Sequence, residues 1–156
     1  MDEIKPGNLA PDFTLPTTGG KDFALSAHRG RIVVLFFYPK DDTSGCTAEA
    51  ISFSALKAEF DRLGAVVVGL SPDTVKSHDK FRLKHDLTVE LASDEEKQVL
   101  RAYGVWVEKS MYGRKYMGVE RTTVLVDRDG GIAGVWNKVK VPGHAAEVLD
   151  AAKALG

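Results

Sequence analysis

The sequence predicts an α/β fold in which helices flank a mixed central sheet and a hairpin lies near the N-terminal end. Two continuously apolar, β-prone runs occupy 31–38 and 65–70, and a helical pattern follows each of them. Such runs are typical of strands buried on both faces, and their alternation with helices indicates strand–helix units. Two later strand patterns, at 121–126 and 131–136, flank a turn rich in Asp and Gly, which adds an antiparallel hairpin.

The bulk composition is that of an ordinary globular protein. The 156 residues are 44 % hydrophobic and 28 % charged, with a formal net charge of −1, which favours neither nucleic acid nor an anionic membrane as a partner. No run reaches the roughly 18 apolar residues that span a bilayer, and the start, MDEIKPGN, lacks the apolar core of a secretory signal. We expect a single domain over 1–156, in the cytoplasm.

The N-terminal elements are a hairpin and a buried strand. Short alternating stretches, FTL and DFAL, flank the sequence TTGG at 17–20, a pattern that predicts a β-hairpin. Pro39 follows the run at 31–38. Because proline cannot donate to a sheet ladder, it ends this strand.

A long helix is predicted over 44–63. Its apolar residues recur at spacings of three and four and form one stripe. Thr43 or Ser44 would supply the N-cap, and Gly64 is the expected stop.

The middle of the chain continues the alternation. After the second buried strand, Ser71-Pro-Asp opens a polar helix that we expect to run to about His85. A short strand pattern follows at 89–91. The sequence Ser-Asp-Glu-Glu at 93–96 resembles a capping box and predicts a helix to about Tyr103.

The remaining segments differ in regularity. Residues 104–120 show no clear period, so we expect a long loop with some strand character there. Its aromatic residues and Met117 would pack in the core or the loop, with a partner surface as the alternative. The Ala-rich end, about 143–155, predicts a closing helix.

Cys46 is the only cysteine in the chain and falls in the first turn of the predicted 44–63 helix. Unpaired backbone N–H groups and the helix dipole favour an anion at this position. A thiolate is the nucleophilic form of cysteine, and such surroundings promote it. The alternative is a small, inert, buried side chain, the common role of free cysteine.

The sequence around Cys46 resembles the peroxiredoxins. Pro39, Thr43 and Cys46 match the P-x-x-x-T-x-x-C signature, which continues here with Thr47 and Glu49. The longer stretch FFYPKDDTSGCTAEA is similar to the Q-type group, also called bacterioferritin comigratory proteins. The resemblance covers the whole chain, from GNLAPDFTL near the start to the arginine of GVERTTVLVDRDG.

This resemblance implies a thioredoxin-like fold and reduction of hydrogen peroxide and organic hydroperoxides without a metal or organic cofactor. It implies that Cys46 attacks peroxide and becomes a sulfenic acid, an antioxidant chemistry. Bare thioredoxin chemistry fits less well, because a C-x-x-C motif would need cysteine where Thr43 stands.

The other site residues receive roles by the same resemblance. Thr43 would exchange hydrogen bonds with the two peroxide oxygens, or serve only as an N-cap. Arg121 would stabilise the thiolate and orient peroxide, although an arginine at a strand start is usually solvated. Glu49 would orient Arg121. Pro39 would shield the site, and Gly45 would be a supporting residue.

One departure from the Q-type pattern concerns recycling. Many members carry a second cysteine five residues after the first, where this chain has Ile51, and others place it on the following helix, where none is present. We therefore expect reduction of the sulfenic acid by an external thiol of the thioredoxin, glutaredoxin or glutathione type. We expect a monomer, with a dimer linked through Cys46 as the weaker alternative. A redox sensor that signals through oxidised Cys46 is the rival function.

Metal binding is not expected. The four histidines lack metal-ligand spacing, and hydrogen-bonded or solvated rings are the favoured interpretation. The sequence Asp127-Arg-Asp-Gly opens like a calcium loop but lacks the later ligands, so we predict a turn. Asp41 and Asp42 are expected in a solvated turn beside the site.

Overall fold

The computed structural model describes residues 3–156 and has the predicted α/β architecture. Within this range the chain forms nine strands: β1 (Thr14–Thr17), β2 (Lys21–Ala24), β3 (Val33–Phe37), β4 (Val66–Ser71), β5 (Glu90–Ser93), β6 (Trp106–Met111), β7 (Arg114–Val119), β8 (Thr122–Val126) and β9 (Ile132–Trp136). The α-helices of the same range are α1 (Ser44–Ala55), α2 (Lys57–Arg62), α3 (Val75–Lys84), α4 (Gln98–Ala102) and α5 (His144–Lys153).

Seven strands form one mixed sheet in the order β2-β1-β5-β4-β3-β8-β9. Strands β3, β4 and β5 pair in parallel, whereas β8 pairs antiparallel with β3 and with β9. The expected N-terminal hairpin is present as the antiparallel pair β1 and β2, joined by a short 3-10 turn. The mixed sheet predicted from the order of elements is confirmed.

Strand β3 lies within the sheet and is buried over its whole length. One face of the sheet packs on α1, α2, α3 and α5 through a cluster that contains Phe36, and the opposite face packs on α4 and the N-terminal segment. Because both faces are covered, an uninterrupted apolar run is the pattern such a strand requires.

A glycine in β4 makes room for this packing. Gly69 pairs in register with Phe36, and a Cβ atom at position 69 would lie 2.6 Å from Phe36 Cζ. The Phe36 ring in turn stacks on Phe53 of α1, with ring centroids 4.7 Å apart. Because Gly69 has no side chain, it leaves room for the Phe36 ring, which packs α1 against the sheet.

The single helix predicted over 44–63 is wrong in one respect. The chain leaves helical geometry at Leu56 (φ −98°, ψ 4°), which separates α1 from α2. Thr88 holds the end of α1, because its backbone N–H donates to Ser54 Oγ and its hydroxyl donates to the Ser54 carbonyl. These contacts come from a distant segment, so the local apolar stripe does not reveal the break.

The capping box predicted at 93–96 is also wrong. Ser93 belongs to β5, and its hydroxyl donates to the Asp73 carbonyl at 2.5 Å. Asp94 instead accepts a hydrogen bond from the backbone N–H of Leu100 at 2.8 Å. Helix α4 starts only after Lys97, whose φ is +61°.

The loop expected over 104–120 is a regular two-stranded hairpin. Strands β6 and β7 pair from Trp106 with Val119 to Met111 with Arg114, and Tyr112 and Gly113 form the turn with positive φ values. Most of its side chains are exposed or half-buried. Because only the base of this hairpin, at Trp106 and Val119, packs on the core, the sequence lacks the hydrophobic alternation that identifies a strand.

Within 3–156, no helix has the length and apolar character required to cross a bilayer.

Candidate active site

The end of β3 and the start of α1 place Cys46. The chain leaves the sheet after Phe37, passes through a loop, and enters α1 at Ser44. Thr43 occupies the N-cap position, and its carbonyl accepts a hydrogen bond from Thr47 N–H at 2.8 Å. Cys46 therefore lies in the first helical turn, with its side chain only 2 % exposed. Cys46 is thus shielded from water at the positive end of the helix dipole.

The pairing of β8 with β3 delivers Arg121 to the same place. Phe37 at the end of β3 pairs with Thr122, so Arg121 lies where the chain enters β8 beside the active-site loop. The Val139 N–H donates to the Arg121 carbonyl at 2.9 Å, which fixes this backbone from a third segment. The arginine lies 75 residues after Cys46.

The guanidinium of Arg121 bridges Cys46 and Glu49. Its Nη2 donates to Cys46 Sγ at 3.3 Å, and its Nη1 donates to Glu49 Oε1 at 2.7 Å. The arginine side chain is 18 % exposed and the glutamate 1 %. Hydrogen bonds in which the donor is ionised, as the guanidinium is, are shorter and stronger than neutral ones. The predicted trio of thiol, cation and carboxyl is brought together.

Gly45 contributes space. A Cβ atom at this position would lie 3.2 Å from Arg121 Nη2, closer than most side chains tolerate. A larger residue would push the guanidinium away from Cys46. The glycine therefore lets the arginine approach the helix start.

Glu49 follows Cys46 by three residues in α1 and faces the same guanidinium. Burial raises the pKa of Glu49 to about 7, against the opposing effect of Arg121. The pKa of Arg121 is also raised: burial would lower it, but negative charge on Cys46 and Glu49 outweighs that effect. The guanidinium is thus a permanent cation held between two acidic groups.

Thr43 and Pro39 lie in the loop that leads from β3 to α1. The Thr43 hydroxyl donates to the Lys40 carbonyl at 2.8 Å, and its side chain makes no capping hydrogen bond to the helix. The N-cap position is confirmed, but the side-chain cap is not formed. Since its proton is engaged, the exposed hydroxyl offers only acceptor lone pairs to a substrate. Pro39 is half-buried just beyond β3.

The expectation that Asp41 lies in a solvated turn is wrong. Its carboxylate is buried and accepts hydrogen bonds from Tyr38 Oη at 2.6 Å and from Ser77 Oγ at 2.7 Å. His78 Nδ1 lies 2.7 Å from Asp41 Oδ2, the carboxyl oxygen that also accepts from Ser77. The other ring nitrogen, His78 Nε2, lies 3.1 Å from the Ala92 carbonyl oxygen. Burial and the nearby Asp41 raise the pKa of Tyr38 well above its ordinary value.

Asp42, by contrast, is exposed. It accepts from Lys84 Nζ at 2.6 Å and lies 2.8 Å from His85 Nε2, and these hydrogen bonds hold the pKa of its carboxyl below its usual range. The two adjacent aspartates thus connect the loop after β3 to the region of α3, Asp41 through buried contacts and Asp42 through exposed ones. The sequence offered no signal for the buried network, since its members lie on separate elements.

One group of possible metal ligands occurs within 3–156. Ligand atoms of Asp41, Asp73 and His78 lie within 4.8 Å of one another. Hydrogen bonds inside the protein already engage these atoms: Asp73 Oδ2, for example, accepts from Asp41 N–H at 2.8 Å and from Ser71 Oγ at 2.6 Å. We interpret the group as a structural hydrogen-bond network.

Asp127, His28 and His144, which are not expected to bind metal, have hydrogen-bond partners inside the protein. Asp127 Oδ1 accepts from the N–H groups of Asp129 and Gly131 at 2.9 Å each, which confirms a turn. His28 lies 3.0 Å from the Ala24 carbonyl. His144 Nε2 lies 2.8 Å from Thr123 Oγ1.

Comparison with known proteins agrees with this geometry. Residues 6–135 match the model of the AhpC/TSA family. The peroxiredoxin Bcp of Xanthomonas campestris is 47 % identical over 92 % of this chain and 89 % of its own length. The peroxiredoxin Bcp of Bacillus subtilis is 43 % identical over 96 % of each chain.

Solved structures give the same result. The bacterioferritin comigratory protein of X. campestris superposes with a TM-score of 0.90 at 44 % identity, covering 96 % of this chain and 98 % of the other. A PrxQ of Xylella fastidiosa superposes with a TM-score of 0.92 at 37 % identity, covering 99 % and 98 %. The X. campestris peroxiredoxin Q has been solved with either of two different cysteines replaced by serine, whereas this chain has one cysteine.

A thioredoxin-like fold in which a buried thiol and a carboxyl near the start of a helix meet an arginine beside a neighbouring strand is that of a peroxiredoxin, a thiol-dependent peroxidase. The chain belongs to the AhpC/TSA family, and it is similar in sequence and structure to Bcp and PrxQ peroxiredoxins.

Proposed function

We propose that Cys46 is the residue that reduces hydrogen peroxide and small organic hydroperoxides, and that an external thiol then restores it. The contact between Arg121 Nη2 and Cys46 Sγ at 3.3 Å carries the proposal, because a fixed cation stabilises the thiolate that must attack peroxide. A structural study of the X. campestris bacterioferritin comigratory protein concerns its alkyl peroxide reduction activity, which supports this substrate class.

The remaining residues position the substrate. In the proposed reaction the thiolate attacks one peroxide oxygen, and the other oxygen leaves with developing negative charge. Arg121 and the N–H groups at the start of α1 stabilise that charge. The Thr43 hydroxyl accepts a hydrogen bond from the peroxide, since its own proton goes to Lys40. Glu49 holds the guanidinium in place.

Pro39 and Gly45 shape the pocket. Pro39 has no N–H that could compete for the substrate, and Gly45 leaves space for the guanidinium. We also propose that residues 1–156 form a single thioredoxin-like peroxiredoxin domain. The seven-stranded sheet that joins β1 to β9 supports this.

The single cysteine determines which kind of reductant we propose. Cys46 is the only cysteine of the chain, so its sulfenic acid has no internal partner for a disulfide. We infer reduction by a small thiol or by a thioredoxin- or glutaredoxin-type protein, and a monomeric, cytoplasmic enzyme. A reducing compartment supplies such thiols and keeps Cys46 in its active form.

Single-turnover kinetics test the function. We expect stoichiometric consumption of hydrogen peroxide and of an alkyl hydroperoxide by the reduced protein, with a dimedone adduct on Cys46 by mass spectrometry. Cys46→Ser should lose both signals. Peroxide consumption by that variant at the wild-type rate would contradict the proposal.

Steady-state turnover tests the reductant. Thioredoxin with its reductase, glutaredoxin with glutathione, and glutathione alone are each added to the protein with excess peroxide. Sustained turnover with one of them identifies the reductant class. A stoichiometric burst without turnover in every case would favour the redox-sensor function.

A further inference from the structure

Glu49 has one carboxyl oxygen that its surroundings leave without a partner. Oε1 accepts from Arg121 Nη1 at 2.7 Å, whereas Oε2 is buried and finds no hydrogen-bond partner within residues 3–156. An ionised carboxylate distributes its charge over both oxygens, so burying one of them unpaired is costly. A proton on this carboxyl removes the charge and much of that cost.

The site also contains one cation for two acids. The Arg121 guanidinium faces both Glu49 Oε1 and Cys46 Sγ. Across the packing interface, α5 contributes His144, whose ring is buried and held 2.8 Å from Thr123 Oγ1. Burial lowers the pKa of His144, so this ring adds no second positive charge at neutral pH.

Charge balance in the reduced site therefore favours a proton on Glu49. When Cys46 is a thiolate, an ionised Glu49 would leave two negative charges on one guanidinium in a nearly dry environment, where such an imbalance is costly. The pKa of Glu49, raised to about 7 by burial, is in the range where a carboxyl can both hold and release a proton at neutral pH.

We propose that Glu49 stores, as a carboxylic acid, the proton that peroxide reduction consumes, and releases it when Cys46 is oxidised. The inference rests on the proposed peroxidase function and adds to the positioning role of Glu49 toward Arg121. Loss of the thiolate charge is the trigger, because the neutral sulfenic acid leaves the guanidinium free to pair with an ionised Glu49.

The step balances. A sulfur electron pair of the Cys46 thiolate forms the S–O bond, and the peroxide O–O bond breaks with its pair on the leaving oxygen. Sulfur is oxidised by two electrons and the peroxide is reduced by two. The leaving hydroxide or alkoxide gains the equivalent of the Glu49 proton, through water, and becomes water or alcohol. The products are the sulfenic acid, the neutral leaving group and the Glu49 carboxylate.

Infrared difference spectroscopy tests the proposal directly. The spectrum of the peroxide-oxidised protein minus that of the reduced protein should show loss of a protonated-carboxyl C=O band at pH 6, with a shift of that band in D₂O. Glu49→Gln should lack the lost band. Asp94→Asn is the matched control and should retain it, since Asp94 is a buried carboxyl whose pKa burial also raises but which lies outside the site.

Proton uptake gives a second readout. In weak buffer, at a pH where thiolate absorbance shows Cys46 ionised, oxidation of the wild type should take up almost no protons from solvent while Glu49 is protonated. Glu49→Gln should take up about one proton per oxidised thiol, because the leaving group must then draw on solvent. Each measurement is normalised to the sulfenic acid formed.

Two results would overturn the storage of a proton on Glu49: an unchanged carboxyl band upon oxidation of the wild type, or equal proton uptake in the wild type and Glu49→Gln. If sulfenic acid still forms on Cys46 in those experiments, the proposed peroxidase function stands. The absence of sulfenic acid would overturn both. If Glu49→Gln does not fold, the wild-type band and its D₂O shift still decide the question.

Discussion

His78 Nδ1 lies 2.7 Å from Asp41 Oδ2, and both side chains are buried. Since Asp41 belongs to the loop between β3 and α1 and His78 belongs to α3, this contact fastens the loop that precedes Cys46 to a separate helix. The Tyr38 and Ser77 hydroxyls donate to the same carboxyl group, so both of its oxygens have hydrogen-bond partners inside the protein.

Replacement of Asp41 should therefore be strongly destabilising. Asp41→Asn leaves buried donors facing an amide group, and we expect a loss of about 3 kcal/mol in the free energy of unfolding, measured by urea denaturation. Asp42→Asn is the matched control, because Asp42 is exposed, and it should leave the urea midpoint nearly unchanged. Equal midpoints for the two variants would argue against the buried contact.

Arg121 should be irreplaceable by lysine. The guanidinium donates to Cys46 and Glu49 from two different nitrogens, a fork that a single ammonium cannot reproduce. We expect Arg121→Lys to slow single-turnover peroxide reduction by about 100-fold, measured by stopped-flow. Arg101→Lys, an exposed arginine, should react at the wild-type rate, and an unimpaired Arg121→Lys would refute the role.

The hydroxyl of Thr43 should matter as an acceptor. Thr43→Val removes the oxygen and its hydrogen bond to Lys40, so we expect kcat/KM for hydrogen peroxide to fall by about 10-fold or more. Thr43→Ser keeps the hydroxyl and should retain most activity. Loss of activity in Thr43→Ser with wild-type activity in Thr43→Val would indicate that the methyl group, not the oxygen, is required.

Glu49 should give stability an unusual pH dependence. The ordinary pKa of its carboxyl is 4.5, and burial raises the pKa to about 7 in the folded protein. Between pH 4.5 and 7 the folded protein therefore holds a proton that the unfolded chain releases. The stabilising contribution is present below pH 4.5 and is lost as pH rises toward 7, by about 3 kcal/mol.

Urea unfolding over this pH range, compared with Glu49→Gln, measures the effect. The free energy of unfolding of the wild type should decrease relative to the variant as pH increases from 4.5 to 7. A constant difference between the two proteins would show that the carboxyl does not titrate in this window.

Ile51→Cys should create an internal resolving thiol, but only with local unwinding. Ile51 is 46 % exposed and lies five residues after buried Cys46 in α1. Two Cα atoms at this helical spacing are ~8–9 Å apart, beyond the reach of a disulfide. Peroxide should nevertheless remove both thiols and lower the thermal midpoint, because the first turns of α1 must open to form the bond.

Mass spectrometry under denaturing conditions would identify that disulfide. Ser52→Cys is a suitable control, since it moves the thiol about 100° round the helix and should form the bond more slowly. Persistent sulfenic acid in Ile51→Cys, with no disulfide, would show that α1 does not open on the time scale of the experiment.

Local features of this protein follow from its sequence. The apolar run of β3 predicts a strand covered on both faces, and Pro39, Thr43 and Cys46 predict a strand end, an N-cap position and a thiol in the first helical turn. These follow from interactions between neighbours along the chain, including backbone sterics and hydrogen bonds to the first turn. The order of strands and helices is enough to predict the mixed sheet.

Tertiary structure decided the rest. Arg121 reaches Cys46 through the register of β8 on β3, Asp41 is buried because Ser77 and His78 come to it from α3, and α1 ends where Thr88 binds Ser54. Contacts between distant segments leave no periodic signal in the chain. The raised pKa of Glu49 also depends on contacts between distant segments. It is set by burial and by the guanidinium that Glu49 shares with Cys46, and both require α1 and β8 to have packed together.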